Sequence, residues 1–417
     1  MRAILLMGGY GTRLQPLTLR TPKCLLPVGG KPLLVHLLEL LGSSGIRDIV
    51  ISLNATQTKA QEYLGDGRRW GVSLRYVYEE TESNADKLGS VGAIGYVTDR
   101  VGVEDVQLVV AGDNFVRQID FNEMVGFHKK RGATVTMALY ELEEPHLIEH
   151  YSAALLNERE SIIRFQEKPR MEEAVSNLAG TGFYLIQDSF LERSLPDYLE
   201  TCRREGVRPD RIGDLWERFV DEVPIYGYVF RGTWLDIGNL EMYLRANEAV
   251  LESAMEKVDS PVPSSVELRG KGVGIGADVE LGRDVVVSGP VLIEEGCRVA
   301  EGSRVGPHVR LGRGSEVGED TKLRDSVIFE RVRIGGGSRI EGSAIDGRCR
   351  LGEDCLVEGY SILGFGAVLG DGVMVTPGSR VWPFATIGKG ASVVGDGVAS
   401  LSRDLEERLS SSRFWEN

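Results

Sequence analysis

The stretch LLMGGYGTRLQPLT at residues 5–18, followed by TPK at residues 21–23, decides how the N-terminal half of this chain is organised. The apolar run from Ala3 to Met7 predicts a buried strand, which leads into a loop with three glycines. Glycines let a backbone approach a ligand closely and turn its N–H groups toward an anion. Arg13 and Lys23 add fixed and flexible positive charge just beyond the loop. Together these features predict a site for a nucleoside triphosphate.

Strand and helix patterns alternate outward from this loop up to residue 257, which predicts a domain built on an α/β sheet. A continuous apolar run at residues 106–110 predicts a central strand, and the run ends in the sequence AGDN at residues 111–114. Because ligands of open α/β sheets lie at the carboxyl ends of the strands, we expect Asp113 at the site. A helix predicted to begin at Gly89 offers a second close approach of backbone to ligand. We predict strands at residues 3–7, 48–53, 74–78, 106–110, 134–140, 153–156, 162–166, 180–187 and 224–230, and helices at 32–41, 56–64, 89–96 and 240–255.

The second part of the chain has a different pattern, in which apolar residues recur every six positions. The repeat holds over residues 275–323, shifts by one residue at Ile328 and again at Ile345, and continues to Val393. A six-residue period of this length predicts a parallel β-helix of hexapeptide repeats, whose inward side chains stack coil on coil.

Length and composition restrict the class of protein. A chain of 417 residues is too long for one ordinary core, so two domains are expected. The formal net charge of −14 argues against nucleic acid or an anionic membrane surface as the main partner. No charged-then-apolar leader opens the chain, and no apolar run approaches the roughly 20 residues that a membrane helix needs. The five cysteines contain no CxxC pair, which fits reduced thiols and predicts a cytoplasmic location. Three of them stand two positions before a repeat residue and are expected to be buried: Cys297, Cys349 and Cys355.

Two familiar phosphate-binding motifs are excluded. The sequence GYGTRL at residues 9–14 lacks the third glycine of the dinucleotide fingerprint. The sequence GGKP at residues 29–32 lacks the spacing and the Ser or Thr of a P-loop. A Rossmann dehydrogenase and a P-loop ATPase are therefore both poor interpretations of this chain.

The stretch from Gly8 to Lys23 resembles the signature of the sugar-1-phosphate nucleotidylyltransferases, the nucleotide-sugar pyrophosphorylases. Other motifs of that family are matched by Asp113 after the central strand, by EKP at residues 167–169 and by WLDIG at residues 234–238. The amino-acid sequence of the glycine loop is most similar to that of mannose-1-phosphate guanylyltransferases.

The resemblance extends over essentially the whole chain, because many members of that family carry a C-terminal left-handed β-helix. It implies an α/β fold class, with a Rossmann-like mixed-sheet nucleotidyltransferase domain followed by a left-handed parallel β-helix. We expect the catalytic domain at residues 1–257, the β-helix at residues 258–400 and a helical tail at residues 401–417. The coils of a β-helix have flat faces and open ends, so a homo-oligomer formed through this domain is expected.

In a nucleotidylyltransferase of this kind, an oxygen of the sugar 1-phosphate attacks the α-phosphorus of a nucleoside triphosphate, and pyrophosphate leaves. The second pKa of a phosphate monoester is about 6, so the nucleophile is already ionised at neutral pH and needs no catalytic base. The difficulty is to hold two polyanions in line, which a metal ion and fixed cations overcome. We expect Asp113 and Asp236 to hold Mg²⁺. Arg13 would hold the β,γ-phosphates, Lys23 the α-phosphate and Lys168 the sugar phosphate.

The resemblance also implies the other contacts with the two substrates. The catalytic residues are expected to be Arg13, Lys23 and Asp113. Nucleotide contacts are expected from Leu6, Gly8, Gly9, Gly11, Thr12, Arg13, Lys23, Gly89, Ser90 and Gly112. Contacts with the sugar phosphate are expected from Tyr151, Glu167, Lys168 and Gly182. In this group Glu167 would accept hydrogen bonds from sugar hydroxyls, and Gly182 would leave room for the sugar ring.

Four departures from the family pattern leave the nucleobase and the sugar open, one of which is a longer and more polar segment at residues 82–87. Ser90 and Val91 stand where many relatives have Thr-Ala, Ser152 stands where a glycine is common, and Asn239 replaces the usual Thr. The product is therefore expected to be a GDP-mannose or a UDP- or dTDP-glucose type of nucleotide sugar.

Two other functions stay open beside the enzyme. One is a catalytically silent regulatory subunit, although the retained charges at residues 13, 23, 113, 168 and 236 argue against it. The other is a bifunctional enzyme with an acetyltransferase in the β-helix, for which no basic or His/Asn-rich acyl-CoA site is visible. His308 fits a turn residue of a hexapeptide coil better than a catalytic base.

Overall fold

The computed structural model describes residues 1–81, 87–253 and 256–395. The helical tail expected at residues 401–417 lies outside these residues, as do the last two residues of the helix predicted at 240–255.

Contacts between residues divide the chain into two compact units. The first contains Met1–Tyr10 and Leu33–Asp236, and the second contains Gly11–Pro32 and Ile237–Asn417. Most of the glycine-rich stretch, from Gly11 onward, therefore belongs to the unit that contains the C-terminal part of the chain. The two units are described in turn.

The secondary structure up to residue 252 alternates strands and helices, as the sequence pattern predicted. The strands are β1 Arg2–Leu6, β2 Pro27–Val28, β3 Lys31–Pro32, β4 Asp48–Asn54, β5 Ser73–Glu79, β6 Val106–Ala111, β7 Asn114–Arg117, β8 Val135–Glu141, β9 Ser152–Leu156, β10 Ile162–Glu167, β11 Leu178–Gln187, β12 Ile225–Phe230 and β13 Thr233–Asp236. The helices are α1 Leu33–Ser43, α2 Thr58–Leu64, α3 Gly89–Val101, α4 Phe121–Arg131, α5 Leu195–Glu205, α6 Ile212–Phe219 and α7 Leu240–Glu252.

The first unit is built on a mixed sheet. Strand β1 lies between β4 and β6 and is parallel to both, and β5 continues the parallel part beyond β4. On the other side β11 is antiparallel to β6 and also pairs with β8 and β9. The central strands are apolar on both faces because helices cover them, and Ile4, Val50 and Val109 are fully buried.

The register of the central strands brings their carboxyl ends to one edge of the sheet. Leu6 at the end of β1 pairs with Ser52 on one side and with Ala111 on the other. The glycine loop after β1 and the AGDN sequence after β6 therefore leave the sheet at the same edge.

The second unit contains a parallel β-helix with three faces. One face is formed by Lys257–Val258, Val273–Ile275, Val291–Ile293, Val309–Leu311, Val327–Ile328, Ala344–Ile345, Ile362–Leu363 and Arg380–Val381. A second face is formed by Glu267–Arg269, Val286–Ser288, Arg304–Val305, Lys322–Arg324, Arg339–Glu341, Leu356–Val357, Met374–Val375 and Ser392–Val393. A third face is formed by Glu280–Leu281, Arg298–Val299, Glu316–Val317, Arg333–Ile334, Arg350–Leu351, Val368–Leu369 and Thr386–Ile387.

The two shifts in the hexapeptide register correspond to two coils of the β-helix that are each shortened by one residue. Leu311 pairs with Ile328, and Ile328 pairs with Ile345, so each of these coils has one residue fewer than the coil from Ile345 to Leu363. The apolar repeat residues point inward throughout and form one continuous core. Glycines after repeat residues allow the coils to stack, because a Cβ on Gly318 would lie 2.4 Å from the Gly336 nitrogen of the next coil.

The cysteines behave as buried fillers, as predicted. Cys297, Cys349 and Cys355 are at most 1% exposed and belong to the core of the β-helix. Their thiols face main-chain carbonyls of the next coil, as Cys349 Sγ does to Gly364 O at 3.1 Å. Burial raises the pKa of Cys297 to about 11, which keeps this thiol protonated and unreactive.

The predicted fold class is confirmed, with a mixed α/β sheet followed by a parallel β-helix. Among the residues that the structure describes, none of the helices combines the length and apolarity that crossing a membrane requires.

Candidate active site

A pocket opens at the carboxyl edge of the parallel strands in the first unit. Seven of the residues predicted from the sequence to contact substrate line it: Leu6, Gly8, Gly9, Gly89, Ser90, Asp113 and Gly182. Further lining residues were not predicted: Glu79, Lys87, Ala93, Ala111, Tyr184, Asp210 and Ile212.

The beginning of the glycine loop is held by one side chain at the end of β4 and one just after it. Asn54 Nδ2 donates to Gly8 O at 3.2 Å, and Gln57 Nε2 donates to Gly9 O at 3.1 Å. Both carbonyls are thereby fixed by side-chain donors. A Cβ on Gly8 would lie 2.5 Å from Glu79 Oε1, so a side chain at this position would displace the buried carboxylate.

Glu79 is the most informative residue that sequence reasoning missed. It ends β5, is 2% exposed, and accepts a hydrogen bond from Ser52 Oγ at 2.8 Å. Burial raises the pKa of this carboxyl above its usual value. The sequence contained one signal, since an acidic residue directly follows the strand predicted at residues 74–78.

Asp113 and Asp236 come from two strands that pair with each other. Asp113 directly precedes β7, and Asn114 at the start of β7 lies opposite Asp236 at the end of β13. Asn114 Nδ2 also donates to Asp113 Oδ1 at 3.2 Å, which helps to orient this carboxylate. The two carboxylates were predicted to hold Mg²⁺, which prefers oxygen ligands. Asp113 lines the pocket, whereas Asp236 is not among the described residues that line it.

The start of helix α3 is fixed against the segment before α6. Ser90 N donates to Asp210 O at 2.8 Å, and a Cβ on Gly89 would lie 2.3 Å from Asp210 Cα. Lys87 Nζ forms an ion pair with Asp210 Oδ1 at 3.1 Å. Asp210 thus fixes the position of Ser90 in the pocket lining. The contact between Asp210 and Ser90 joins residues far apart in the chain, and no local sequence pattern predicts it.

The residues predicted to bind the sugar phosphate divide into two groups. Gly182 lines the pocket, with a φ of +79° and a tight approach to Ala111. Tyr151, Glu167 and Lys168 are not among the described residues that line it.

These three residues lie close to one another. Lys168 N donates to Tyr151 O at 3.1 Å, and the Tyr151 ring packs edge-on against Trp234 with centroids 4.8 Å apart. Glu167 lies against Gly213 of α6, and its burial raises the pKa of its carboxyl.

Gly112 has a packing function in the structure. Its N–H donates to Leu6 O at 3.1 Å, and a Cβ there would lie 2.0 Å from the sulfur of Met7. A side chain at this position would displace the buried Met7 side chain, just after β1. The glycine therefore keeps Asp113 at the edge of the sheet.

Gly11, Thr12, Arg13 and Lys23 belong to the second unit. Gly11 has a φ of +63°, and its carbonyl accepts a hydrogen bond from Thr18 Oγ1 at 2.8 Å. Thr12 and Arg13 are exposed, whereas Lys23 is 9% exposed.

The Arg13 guanidinium lies against the backbone of the WLDIG motif. A Cβ on Gly238 would be 3.2 Å from both of its terminal nitrogens. Gly238, the last glycine of that motif, therefore leaves the space that the Arg13 side chain occupies.

Other polar and aromatic residues lie outside the pocket lining. His146 and His150 are exposed, and Trp234 is buried. His308 is located in a turn of the β-helix, where its Nδ1 lies 2.8 Å from Asp325 Oδ1. Its Nε2 lies 3.5 Å from Glu248 Oε1, so both ring nitrogens face carboxylates.

Comparison with known proteins gives the family. The model for nucleotidyl transferases matches residues 2–253, and the model described as the GMPPB C-terminal domain matches residues 287–394. A UTP–glucose-1-phosphate uridylyltransferase of Synechocystis is 30% identical over 63% of this chain. A mannose-1-phosphate guanylyltransferase of Mycobacterium tuberculosis is 29% identical over 81% of this chain. The chain spans 66% of the length of the first relative and 82% of the second.

A crystal structure agrees with these relatives. It is described as a glucose-1-phosphate thymidylyltransferase from Bacillus anthracis in complex with a sucrose. It is 29% identical, covers 59% of this chain and 94% of its own, and superposes with a TM-score of 0.51. Because the nucleotidyl transferase model matches more than half of the chain, the resemblance seen in the sequence is confirmed, and this protein belongs to the nucleotidyl transferase family, with the sugar-1-phosphate nucleotidylyltransferases.

Proposed function

We propose that this protein transfers a nucleotidyl group from a nucleoside triphosphate to a sugar 1-phosphate, and that its substrates are GTP and mannose 1-phosphate. The observation that carries the proposal is one pocket lined by Gly8 and Gly9 of the glycine loop, by Asp113, and by the buried carboxylate of Glu79. The guanylyltransferase relatives and the match of the C-terminal domain model support the choice of substrates.

The reaction needs positioning and charge neutralisation more than proton transfer. A nonbridging oxygen of the sugar phosphate forms a bond to the α-phosphorus, and the bond from that phosphorus to the β-phosphate oxygen breaks. Pyrophosphate leaves with the electron pair of that bond. Arg13 would hold the departing phosphates, Lys23 the α-phosphate and Lys168 the sugar phosphate.

Mg²⁺ is part of this proposal. Asp113 and Asp236 would hold it, and when bound it would neutralise phosphate charge at the reacting phosphorus. The support comes from their adjoining strands and from the hydrogen bond by which Asn114 orients Asp113.

Glu79 supports guanine as the base. The N1–H and N2–H₂ groups of guanine lie side by side and match the two oxygens of a carboxylate, as in other bidentate charge-assisted pairs. Uracil and thymine carry a single N–H between two carbonyl oxygens, and those oxygens would be repelled by the same carboxylate. A buried acceptor without its donors is costly, so the wrong base is strongly disfavoured.

A matrix of substrates tests the proposal. Purified protein would be incubated with Mg²⁺, each of GTP, UTP, dTTP, ATP and CTP, and the 1-phosphates of mannose, glucose and N-acetylglucosamine. We expect the fastest pyrophosphate release with GTP and mannose 1-phosphate. Absence of pyrophosphate release with every pair would contradict the proposal and favour a silent subunit. Consumption of acetyl-CoA with an amino-sugar phosphate would instead favour the bifunctional enzyme.

We further propose that the chain forms a homo-oligomer through the β-helix. Large apolar side chains that are exposed on this domain support it, among them Tyr360 at 55% and Met374 at 42%. Light scattering should give a multiple of the 45.7 kDa chain mass, and a monomer at micromolar concentration would contradict the assembly.

A further inference from the structure

The stretch Gly11–Pro32 belongs to the same compact unit as the β-helix. Its regular structure is limited to three short 3₁₀ turns, at Thr12–Leu14, Leu17–Leu19 and Lys23–Leu25, and the hairpin of β2 and β3. Single 3₁₀ turns have poor hydrogen-bond geometry and do not order a loop by themselves. The conformation that carries Arg13 therefore depends on contacts with other elements.

One side chain of the β-helix contacts the loop at the position of Arg13 itself. Arg380, in the strand Arg380–Val381, donates from Nη2 to Arg13 O at 2.9 Å. Its Nη1 donates to Gln15 O. One planar guanidinium thus holds two carbonyls that are two residues apart, a geometry that the fork of an arginine provides and a lysine does not.

A second arginine contact lies further along the same loop. The Arg20 guanidinium carbon is 3.4 Å from the centroid of the Phe365 ring, within the range of a cation–π interaction. Phe365 lies in the coil that precedes Arg380. The loop is therefore held on the β-helix both at Arg13 and at Arg20.

We infer that Arg380 is a positioning residue for catalysis, which acts by fixing the main chain that presents Arg13 to the phosphates. The inference rests on the proposed function, because it assigns to Arg13 the β,γ-phosphates of the nucleotide. It gives the β-helix a part in the reaction, since a residue more than 360 positions along the chain from the glycine loop would set the loop's geometry.

The test compares Arg380→Ala and Arg380→Lys with a matched control. Arg298→Ala removes another β-helix arginine that directly precedes an inward-facing valine, but Arg298 is paired with Glu280 on a different face. With GTP and mannose 1-phosphate we expect Arg380→Ala to lower kcat/KM for GTP at least 10-fold. Arg380→Lys should recover part of the loss, and Arg298→Ala should stay within twofold of the original protein.

A double-mutant cycle with Arg13 separates positioning from general destabilisation. If Arg380 acts through Arg13, Arg13→Ala and Arg13→Ala/Arg380→Ala will have the same kcat/KM within about twofold. Additive losses in the double variant would overturn the inference, as would normal activity of Arg380→Ala.

Hydrogen exchange provides a readout that does not depend on turnover. Without any substrate, peptides that cover residues 11–23 should exchange faster in Arg380→Ala than in the original protein, while peptides of the sheet domain stay unchanged. If no substrate pair is turned over, the proposed function fails, yet this measurement still tests the contact. Unchanged exchange of residues 11–23 in Arg380→Ala would overturn the inference.

Discussion

At the level of single residues, the proposed reaction depends on a few charged side chains at the carboxyl edge of one sheet. Asp113 is held there by Gly112, whose N–H donates to Leu6 O and whose lack of a side chain leaves room for Met7. Glu79 reaches the same pocket from β5. The two carboxylates have different tasks in the proposal. Asp113 adjoins a strand pair that contains a second aspartate, whereas Glu79 is buried and accepts a hydrogen bond from the Ser52 hydroxyl.

Replacement of Asp113 tests the metal-binding assignment. Asp113→Asn should lower kcat at least 1,000-fold, because loss of a metal ligand removes several kcal/mol of transition-state stabilisation. The measurement is the rate of pyrophosphate release at saturating Mg²⁺, with circular dichroism to show that the fold is kept. Asp105→Asn, an exposed aspartate just before the other end of β6, is the control and should be fully active. Near-normal activity of Asp113→Asn would refute the assignment.

Replacement of Glu79 tests the recognition of the base. Glu79→Gln keeps the shape and one acceptor oxygen, yet loses the second acceptor, so the ratio of kcat/KM for GTP over UTP should fall at least 10-fold. In the original protein the same ratio should decline at acid pH, because burial raises the pKa of Glu79 and protonation removes an acceptor. Glu80→Gln alters the exposed neighbour and should leave the ratio unchanged. An unchanged ratio in Glu79→Gln would show that another group reads the base.

At the level of secondary-structure elements, the periodicity of apolar residues predicted those strands, helices and coils whose position depends on local sequence. The shifts at Ile328 and Ile345 could be located from the spacing of apolar residues alone, because each coil must turn its repeat residues inward. Nine strands of the sheet domain and the helices α1, α2, α3 and α7 were predicted for the same reason, whereas the short strands β2, β3, β7 and β13 and the helices α4, α5 and α6 were not. Asp113 could be located because a central apolar run ended directly before it.

Contacts between distant elements could not be predicted in this way. Asp210 comes from a loop with no motif, and it reaches Ser90 only through the packing of α3 against the segment before α6. The contact of Arg380 with Arg13 joins residues whose separation carries no periodic signal. Tyr151, Glu167 and Lys168 were named from a family motif, and their location outside the lining of the pocket depends on tertiary packing.

One departure from the family pattern has a local physical explanation. Asn239 is the N-cap of α7, and its side-chain oxygen accepts a hydrogen bond from Met242 N at 2.9 Å. Threonine, the residue common at this position in relatives, is also a good N-cap. This departure therefore carries no information about the sugar or the base.

The cap gives a prediction for helix α7. Asn239→Ala should destabilise the protein by about 1 kcal/mol, the usual effect of removing a side-chain N-cap. The stability of Asn239→Thr should differ from that of the original protein by only a few tenths of a kcal/mol. Thermal unfolding followed by circular dichroism at 222 nm would measure both variants. Equal midpoints for the alanine and threonine variants would contradict the assignment of the cap.

At the scale of the whole molecule, the β-helix contributes more than a stack of coils. It holds the segment that carries Arg13 and Lys23, and it contains a buried carboxyl at Asp346, which is 4% exposed. One oxygen of Asp346 accepts a hydrogen bond from Gly347 N, and the other has no partner among the described residues. Burial raises the pKa of Asp346 to about 7.

The buried carboxyl of Asp346 should make the stability of the protein depend on pH. Because its pKa is raised in the folded state, the folded protein binds the proton more tightly than the unfolded chain, and stability falls as pH rises from about 4 to about 7. The positive charge of Arg20 opposes this rise in the pKa of Asp346, while the negative charge of Glu330 adds to it. Together with burial, the Asp346 carboxylate in turn raises the pKa of Tyr243 and of Cys349.

The comparison is Asp346→Asn against the original protein at pH 4 and at pH 8. A shift of about 3 pKa units corresponds to at most about 4 kcal/mol, so the asparagine variant should gain thermal stability relative to the original protein as pH rises. Differences in melting temperature at several pH values would measure the effect. The same difference at pH 4 and pH 8 would show that Asp346 does not titrate with folding.

The central claim is nucleotidyl transfer to a sugar 1-phosphate in the pocket that contains Asp113. The direct measurement is to incubate the protein with Mg²⁺, mannose 1-phosphate and GTP labelled at the α-phosphate, and to follow the label by chromatography and mass spectrometry. We expect the label in GDP-mannose, with one pyrophosphate released for each product molecule, and at least 1,000-fold less product with Asp113→Asn. Folded protein that leaves the label in GTP, and forms no nucleotide sugar from any other triphosphate and sugar 1-phosphate, would contradict the account.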